Sequence, residues 1–257
     1  MFTRAIRAIG AGTINGITAF GGAMILFGRA LANLRYIFKD SHLYFQQARD
    51  IGVASLPLVL LIGAFTGMVS TWQANYSFGN IMPLKYLGVA TFKAVIVELG
   101  PVLSGLVLAG RVGSSLSAEL GTMKITEQVD ALEVLAIDPV RYLVAPRIIA
   151  GMVMVPVLVT LAVFISMFGG FLVANATMGV GFDTYFGEIP VFFKLKDVEV
   201  MVVKSITFGG IISLVGAWVG MNARGGAEGV GEATIKSFVA SALLILFSDY
   251  FLATLLF

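Results

Sequence analysis

Residues 98–147 read ELGPVLSGLVLAGRVGSSLSAELGTMKITEQVDALEVLAIDPVRYLVAPR. Up to Gly110 the stretch is apolar and carries one carboxylate, Glu98. From Arg111 onward charges recur every few residues, and the pattern becomes that of an amphipathic segment facing water. A membrane-embedded part is therefore joined directly to a water-facing part, and that junction organises the rest of the chain.

The 257 residues are 58% hydrophobic and 12% charged, with mean hydropathy +0.94. Soluble domains carry about 25% charged residues, so this composition is that of an integral membrane protein. A net charge of +2 is too small to imply nucleic acid. The absence of cysteine rules out a disulfide framework and thiolate metal sites. His42 is the single histidine. Residues 1–10 carry two arginines, but no small-residue cleavage site closes a short apolar run, so no cleavable signal is expected. No internal repeat is visible.

A spanning helix needs about 20 mostly apolar residues. Five segments meet this: 51–74, 86–110, 148–172, 199–222 and 236–257. Residues 8–28 are also uncharged, but they are rich in glycine, and Arg29, Arg35 and Lys39 follow on a helical pattern. Residues 1–48 are therefore expected to form an amphipathic helix lying in the interface. Gly63/Gly67 and Gly216/Gly220 are small-residue pairs suited to close helix packing. Trp72 and Tyr76 fall where the first span reaches the far interface. The mixed segment 183–198 is expected to form a short surface helix. With the amino end inside, twelve Lys and Arg residues fall on the cytoplasmic side and three on the outer side. That asymmetry places the amino terminus and segment 111–147 in the cytoplasm. The expected fold is thus all-α: an interfacial helix and five transmembrane helices in one permease-like domain, 1–257.

A charge at mid-bilayer costs on the order of 3 kcal/mol on insertion scales, so it faces a partner or a wet cavity. Glu98, Lys204 and Asp249 are the charges at such depths; Glu98 lies about 18 Å along its helix from the outer end. They form either a structural ion pair or the polar lining of a cavity for an amphipathic substrate. Lys93 lies near enough to the outer interface to snorkel. Pro101 removes the donor for the Val97 carbonyl and raises polarity beside Glu98.

In the cytoplasmic segment, Thr126 is placed to cap a helix with Glu127 and Asp130 in its first turn. Val129, Leu132 and Leu135 recur on one apolar face, and Asp138-Pro139 ends the helix. Glu127, Asp130, Glu133 and Asp138 are unsuited to anionic lipid, which favours a soluble partner over the membrane surface. No G-x-x-x-x-G-K-[ST] phosphate loop and no hydrolytic constellation are present. The chain is therefore not read as an enzyme, and any energy must come from another subunit or an ion gradient.

The 98–147 stretch resembles the signature of the MlaE (YrbE) permeases, membrane subunits of ABC transporters that move phospholipid between bacterial inner and outer membranes. The resemblance is dense over 98–151 and looser across the rest. It implies a homodimer in the inner membrane with lipid held in a central cavity. It also implies that Thr126–Asp138, within segment 119–139, is a coupling helix docked on a cytoplasmic ATPase that uses ATP. A periplasmic MCE-domain hexamer and a STAS-domain protein bound to the ATPase complete the implied assembly. By position, Glu98, Lys204 and Asp249 match polar residues at or near that cavity; Trp72 and Tyr76 are added as lipid-facing residues. Some relatives carry Arg where this chain has Val97, which leaves Lys204 as the cationic candidate for lipid phosphate. The same three charges suit an ion relay in an autonomous secondary transporter, or structural pairs in a scaffold, and these remain the alternative readings.

Overall fold

The computed structural model describes residues 2–79 and 83–256, and these contain helices and turns but no strand. The helices are α1 (Phe2–Ala32), α2 (Ser41–Phe78), α3 (Leu84–Ile125), α4 (Gln128–Val134), α5 (Val140–Met178), α6 (Phe182–Phe186), α7 (Ile189–Phe192), α8 (Leu195–Met221) and α9 (Gly226–Leu256). Six stretches are long and apolar enough to cross a membrane: α2, α3, α5, α8, α9 and Gly16–Tyr36. We call the end of the bundle carrying α4 the lower end and the end carrying α6 and α7 the upper end.

Several boundaries differ from the sequence expectation, each for a physical reason. The first break falls at 37–40, so residues 41–48 belong to the helix of the first span. Arg49 and Asp50 then sit within three turns of its start, where a helix can still meet water. The second span does not end near residue 110 but runs to Ile125. It can do so because its charges find partners: the Arg111 Nη1 donates to Ser55 Oγ at 2.6 Å, and Glu119 pairs with Arg147 at 3.2 Å. Segment 183–198 is two short helices and the start of α8, separated at Gly187 and at Phe193. Thr126 does not cap the following helix. Its hydroxyl donates back to the Thr122 carbonyl at 2.8 Å and closes α3.

Helix α3 is respaced twice by π turns, at Val95–Leu99 and Ala109–Gly113. In the first, the Gly100 amide bonds to the Val95 carbonyl, five residues back. Pro101 follows immediately and has no amide to offer Val97, so the ladder shifts by one residue there.

Helices α2 and α5 run parallel at a separation that only small residues allow. A Cβ on Gly67 would stand 1.7 Å from the Ser166 carbonyl oxygen, and one on Gly63 would stand 2.6 Å from that of Ala162. Gly169 reciprocates against Ala64. Gly216 and Gly220 lie in the same way against Gly113 and Ser117 of α3. Both small-residue pairs are thus used within the chain, as packing rather than as a dimer motif. Helix α8 lies at the centre, with Phe208 and Ile212 fully buried against α3 and α5. At the upper end the buried Tyr185 hydroxyl and Thr91 both meet the Thr71 hydroxyl, at 2.9 and 3.0 Å, tying α6 to α2 and α3. Burial pushes the Tyr185 phenol above its ordinary value, so it remains a neutral partner.

Among the described residues, α1 meets the bundle only low down. Leu26 and Ala30 join Leu120, Val129, Val144 and Ala217 in the lower cluster, and Gly22 admits the Trp218 ring. Only 11% of the apolar window of Gly16–Tyr36 is buried, which distinguishes it from α8 at 61%.

The close α2–α5 contact predicts that Gly67→Val is severely destabilising, because the clash is with backbone that cannot rotate away; overpacking costs about 1–3 kcal/mol or more. Gly231→Ala, with open space around it, is the control. Thermal melts of the detergent-solubilised protein should show a large drop for the first and no drop for the second.

Candidate functional site

The three charges singled out from the sequence meet at one point. Lys204, on α8, is fully buried, and its ammonium lies 2.6 Å from Glu98 Oε2 and 2.7 Å from Asp249 Oδ1. Glu98 comes from the first π turn of α3, and Asp249 from the upper third of α9. The Asp249 side chain is 12% exposed and that of Glu98 45%, so the cluster opens outward through Glu98. An isolated ammonium in an apolar bundle costs several kcal/mol, and two carboxylates compensate it here. The cluster carries one negative charge in excess. Lys204 is not a free cation facing a cavity: it is enclosed, and Glu98 is the group that a ligand can reach.

Trp72 and Tyr76 stand exposed near the upper end of α2. Among the described residues they make no hydrogen bond or ring contact with the triad, because α2 turns Thr71 inward instead. A mostly apolar groove of about 330 Å³ runs between α2 and α3, lined by Ile62, Phe65, Thr66, Val69, Ser70, Leu99 and Leu103; Leu99 adjoins Glu98 in sequence, while Glu98 itself does not line it.

Lys93 does not simply snorkel. It forms an ion pair with Asp197 at the start of α8, toward the upper end from the triad. No local periodicity links residues 93 and 197; the signal available was the opposite order of charges on two spans, Lys93 then Glu98 against Asp197 then Lys204.

At the lower end, α4 is a seven-residue helix bracketed by two non-glycine residues in left-handed conformation, Glu127 at φ 61° and Ala136 at φ 57°. Such conformations persist only where the surroundings impose them. Val129 is buried and Leu132 packs partly on the lower cluster. Leu135 does not share that face: it points outward with Val134 and Ile137, the three being 69%, 87% and 39% exposed. This apolar tip was not recognised in the sequence, where Val134 lies off the expected face. Around it, Glu127 and Glu133 are exposed. Asp130 holds Lys124 at 2.6 Å. Asp138 accepts from the Val140 amide at 3.0 Å and so starts α5.

Two part-buried links connect this end to the spans. Arg147, 6% exposed, reaches both the Leu143 carbonyl at 2.8 Å and Glu119 at 3.2 Å. Arg111, in the second π turn, is bonded to Ser55 of α2. Among the described residues no group of three His, Asp or Glu side chains is placed to hold a metal ion.

The family described as Permease MlaE matches residues 44–255. A probable ABC transporter permease of Synechocystis is 39% identical over 212 residues, 82% of this chain and 81% of its own. One from Rickettsia typhi is 40% identical over 215 residues, 84% of this chain and 83% of its own. The intermembrane phospholipid transport system permease MlaE of Haemophilus influenzae is 33% identical over 258 residues, covering 100% of this chain and 99% of its own. With its multi-pass helical architecture and these similarities along nearly its whole length, the chain belongs to the MlaE family of ABC transporter permeases.

Proposed function

We propose that this permease moves phospholipid between the inner and outer membranes, as part of an assembly driven by a separate cytoplasmic ATPase. The observation that carries the reading is the triad: a buried ammonium between two acids, with Glu98 open to the outside of the chain and a mostly apolar groove starting at the adjoining Leu99. A charged pole next to an acyl-sized apolar surface suits an amphiphile. The relative from Haemophilus is named for phospholipid transport, which supports the same substrate class.

In this reading the lower end is cytoplasmic, as the excess of Lys and Arg there requires. Helix α1 then lies in the interface, in keeping with its sparse contacts, which among the described residues fall in the lower cluster. A second copy of the chain faces the first, and the triads line a shared lipid cavity. The exposed tip Val134–Leu135–Ile137, flanked by Glu127, Asp130, Glu133 and Asp138, inserts into the ATPase. An MCE-domain hexamer receives lipid on the periplasmic side, and a STAS-domain protein binds the ATPase.

The route for force follows from the packing. Movement of α4 displaces the lower part of α3 and, through Glu119 and Arg147, the start of α5. Helix α3 carries that displacement to Glu98 across its two π turns, where the hydrogen-bond ladder is already respaced. Narrowing at Glu98 expels the lipid upward. The autonomous carrier reading loses its ground, since ABC permeases draw on an ATPase.

Two outcomes test this. Val134→Glu combined with Leu135→Glu should abolish co-purification of the ATPase while the permease stays inserted with an unchanged melting temperature, because both side chains are solvent-facing; retained ATPase would contradict the docking assignment. Lys204→Met should lower stability by about 1–3 kcal/mol, since it strands two carboxylates, one of them half-exposed and thus partly screened. Adding Glu98→Gln and Asp249→Asn should recover stability in the melt but not phospholipid transfer between vesicles. Recovery of transfer would make the triad purely structural.

A further inference from the structure

Two ion pairs stack along the contact between α3 and α8, and in each the exposed member lies on α3. Lys93 is 29% exposed and its partner Asp197 7%; Glu98 is 45% exposed and its partner Lys204 is fully buried. The α8 residues are thus enclosed counterions, while the α3 residues face out of the chain. Lys93 lies two positions before the π turn and Glu98 within it, and both pair with residues of α8, Asp197 and Lys204, which are seven positions apart there. Partners two turns apart on one face of α8 put both α3 residues on the side of α3 that meets α8, about 7–10 Å apart along the helices.

Both groups have bonding capacity left. The Lys93 ammonium has three donors and spends one on Asp197. The Glu98 carboxylate offers about four acceptor positions; Lys204 occupies one and Asp249 lies against another. The charge balance at the two levels differs in a useful way. At Glu98, two carboxylates face one ammonium, so a further cation is favoured. At Lys93, the pair is neutral, but Asp197 sits in the first turn of α8, where the helix dipole supports a carboxylate. An anion that takes up Lys93 therefore does not leave Asp197 uncompensated.

We propose that Lys93 and Glu98 form a two-point receptor for a zwitterionic phospholipid headgroup, with the phosphate on Lys93 and a headgroup ammonium on Glu98. This rests on the phospholipid reading above and adds to it a headgroup preference. A phosphatidylethanolamine satisfies both points, whereas a phosphatidylglycerol satisfies Lys93 and brings uncompensated negative charge to the triad.

The test is binding of dihexanoyl-phosphatidylethanolamine and dihexanoyl-phosphatidylglycerol to the full-length purified permease, measured by calorimetry. The ethanolamine lipid should bind about fivefold tighter, the worth of one partly screened ion pair. Glu98→Gln should erase the preference, and Lys93→Gln should weaken both lipids. Exchanging the pair, Lys93→Asp with Asp197→Lys, keeps the salt bridge but moves the ammonium onto α8. It should stay folded, melting somewhat below the wild type because a cation then meets the α8 dipole, and bind both lipids weakly. Equal affinities in the wild type, a preference that survives Glu98→Gln, or full binding by the exchanged pair would overturn the receptor. If neither lipid binds the wild type, the phospholipid reading falls with it; equal binding of both sinks the receptor alone. Should the single variants not fold, amine labelling of Lys93 in the wild type decides: both lipids should protect it, and unchanged labelling contradicts the proposal.

Discussion

One ammonium group fixes the arrangement of this bundle. Lys204 is enclosed in apolar surroundings, where a lone charge is not tolerated, and its two carboxylate partners come from different helices. Helices α3, α8 and α9 must therefore meet at this depth and in this register. Helix α9 depends on it most, because only 17% of its apolar window is buried in the chain. Its other polar ties are the Ser237 hydroxyl on the Gly113 carbonyl at 3.0 Å and the Ser114 hydroxyl on the Thr234 carbonyl at 3.3 Å, both lower down. The same contact that orders the helices leaves Glu98 at the surface of the chain, so on the proposed function one cluster serves both stability and binding.

The second constraint is steric. Where α2 meets α5 and where α8 meets α3, backbones approach too closely for a Cβ at Gly67 or Gly220. In lipid, where apolar burial between helices gains little, such close packing supplies the association. These rigid contacts contrast with α3, whose two π turns and left-handed exit at Glu127 interrupt regular helix. The helix that carries Glu98 is also the one joined to α4, which places the irregular geometry along the line from the lower tip to the triad.

Much of this was legible in the sequence. Apolar length gave the five main spans, and the cost of intramembrane charge picked out Glu98, Lys204 and Asp249, which the structure brings together. The glycine pairs were recognised as packing surfaces, though their partners could not be named, since contacts across a hundred residues leave no local periodicity. Pro101 signalled a disturbed ladder but not a π turn. The errors share one cause: charges were read as marks of water. Arg111, Glu119 and Arg147 continue the helical bundle because each finds a partner inside it, and Lys93 pairs with Asp197 for the same reason. On α4, a seven-residue helix is too short for periodicity to decide its faces, so Leu135 was placed inward and Val134 overlooked.

The central claim is that the open side of the triad holds a phospholipid whose occupancy the ATPase controls. A photo-cross-linking residue at Val97, beside Glu98, tests it in membranes, with the exposed Val157 on α5 as reference. The account predicts a phospholipid adduct at Val97 that is lost when a non-hydrolysable ATP analogue locks the transporter, while the adduct at Val157 is unchanged. No adduct at Val97, or one indifferent to the analogue, would contradict it.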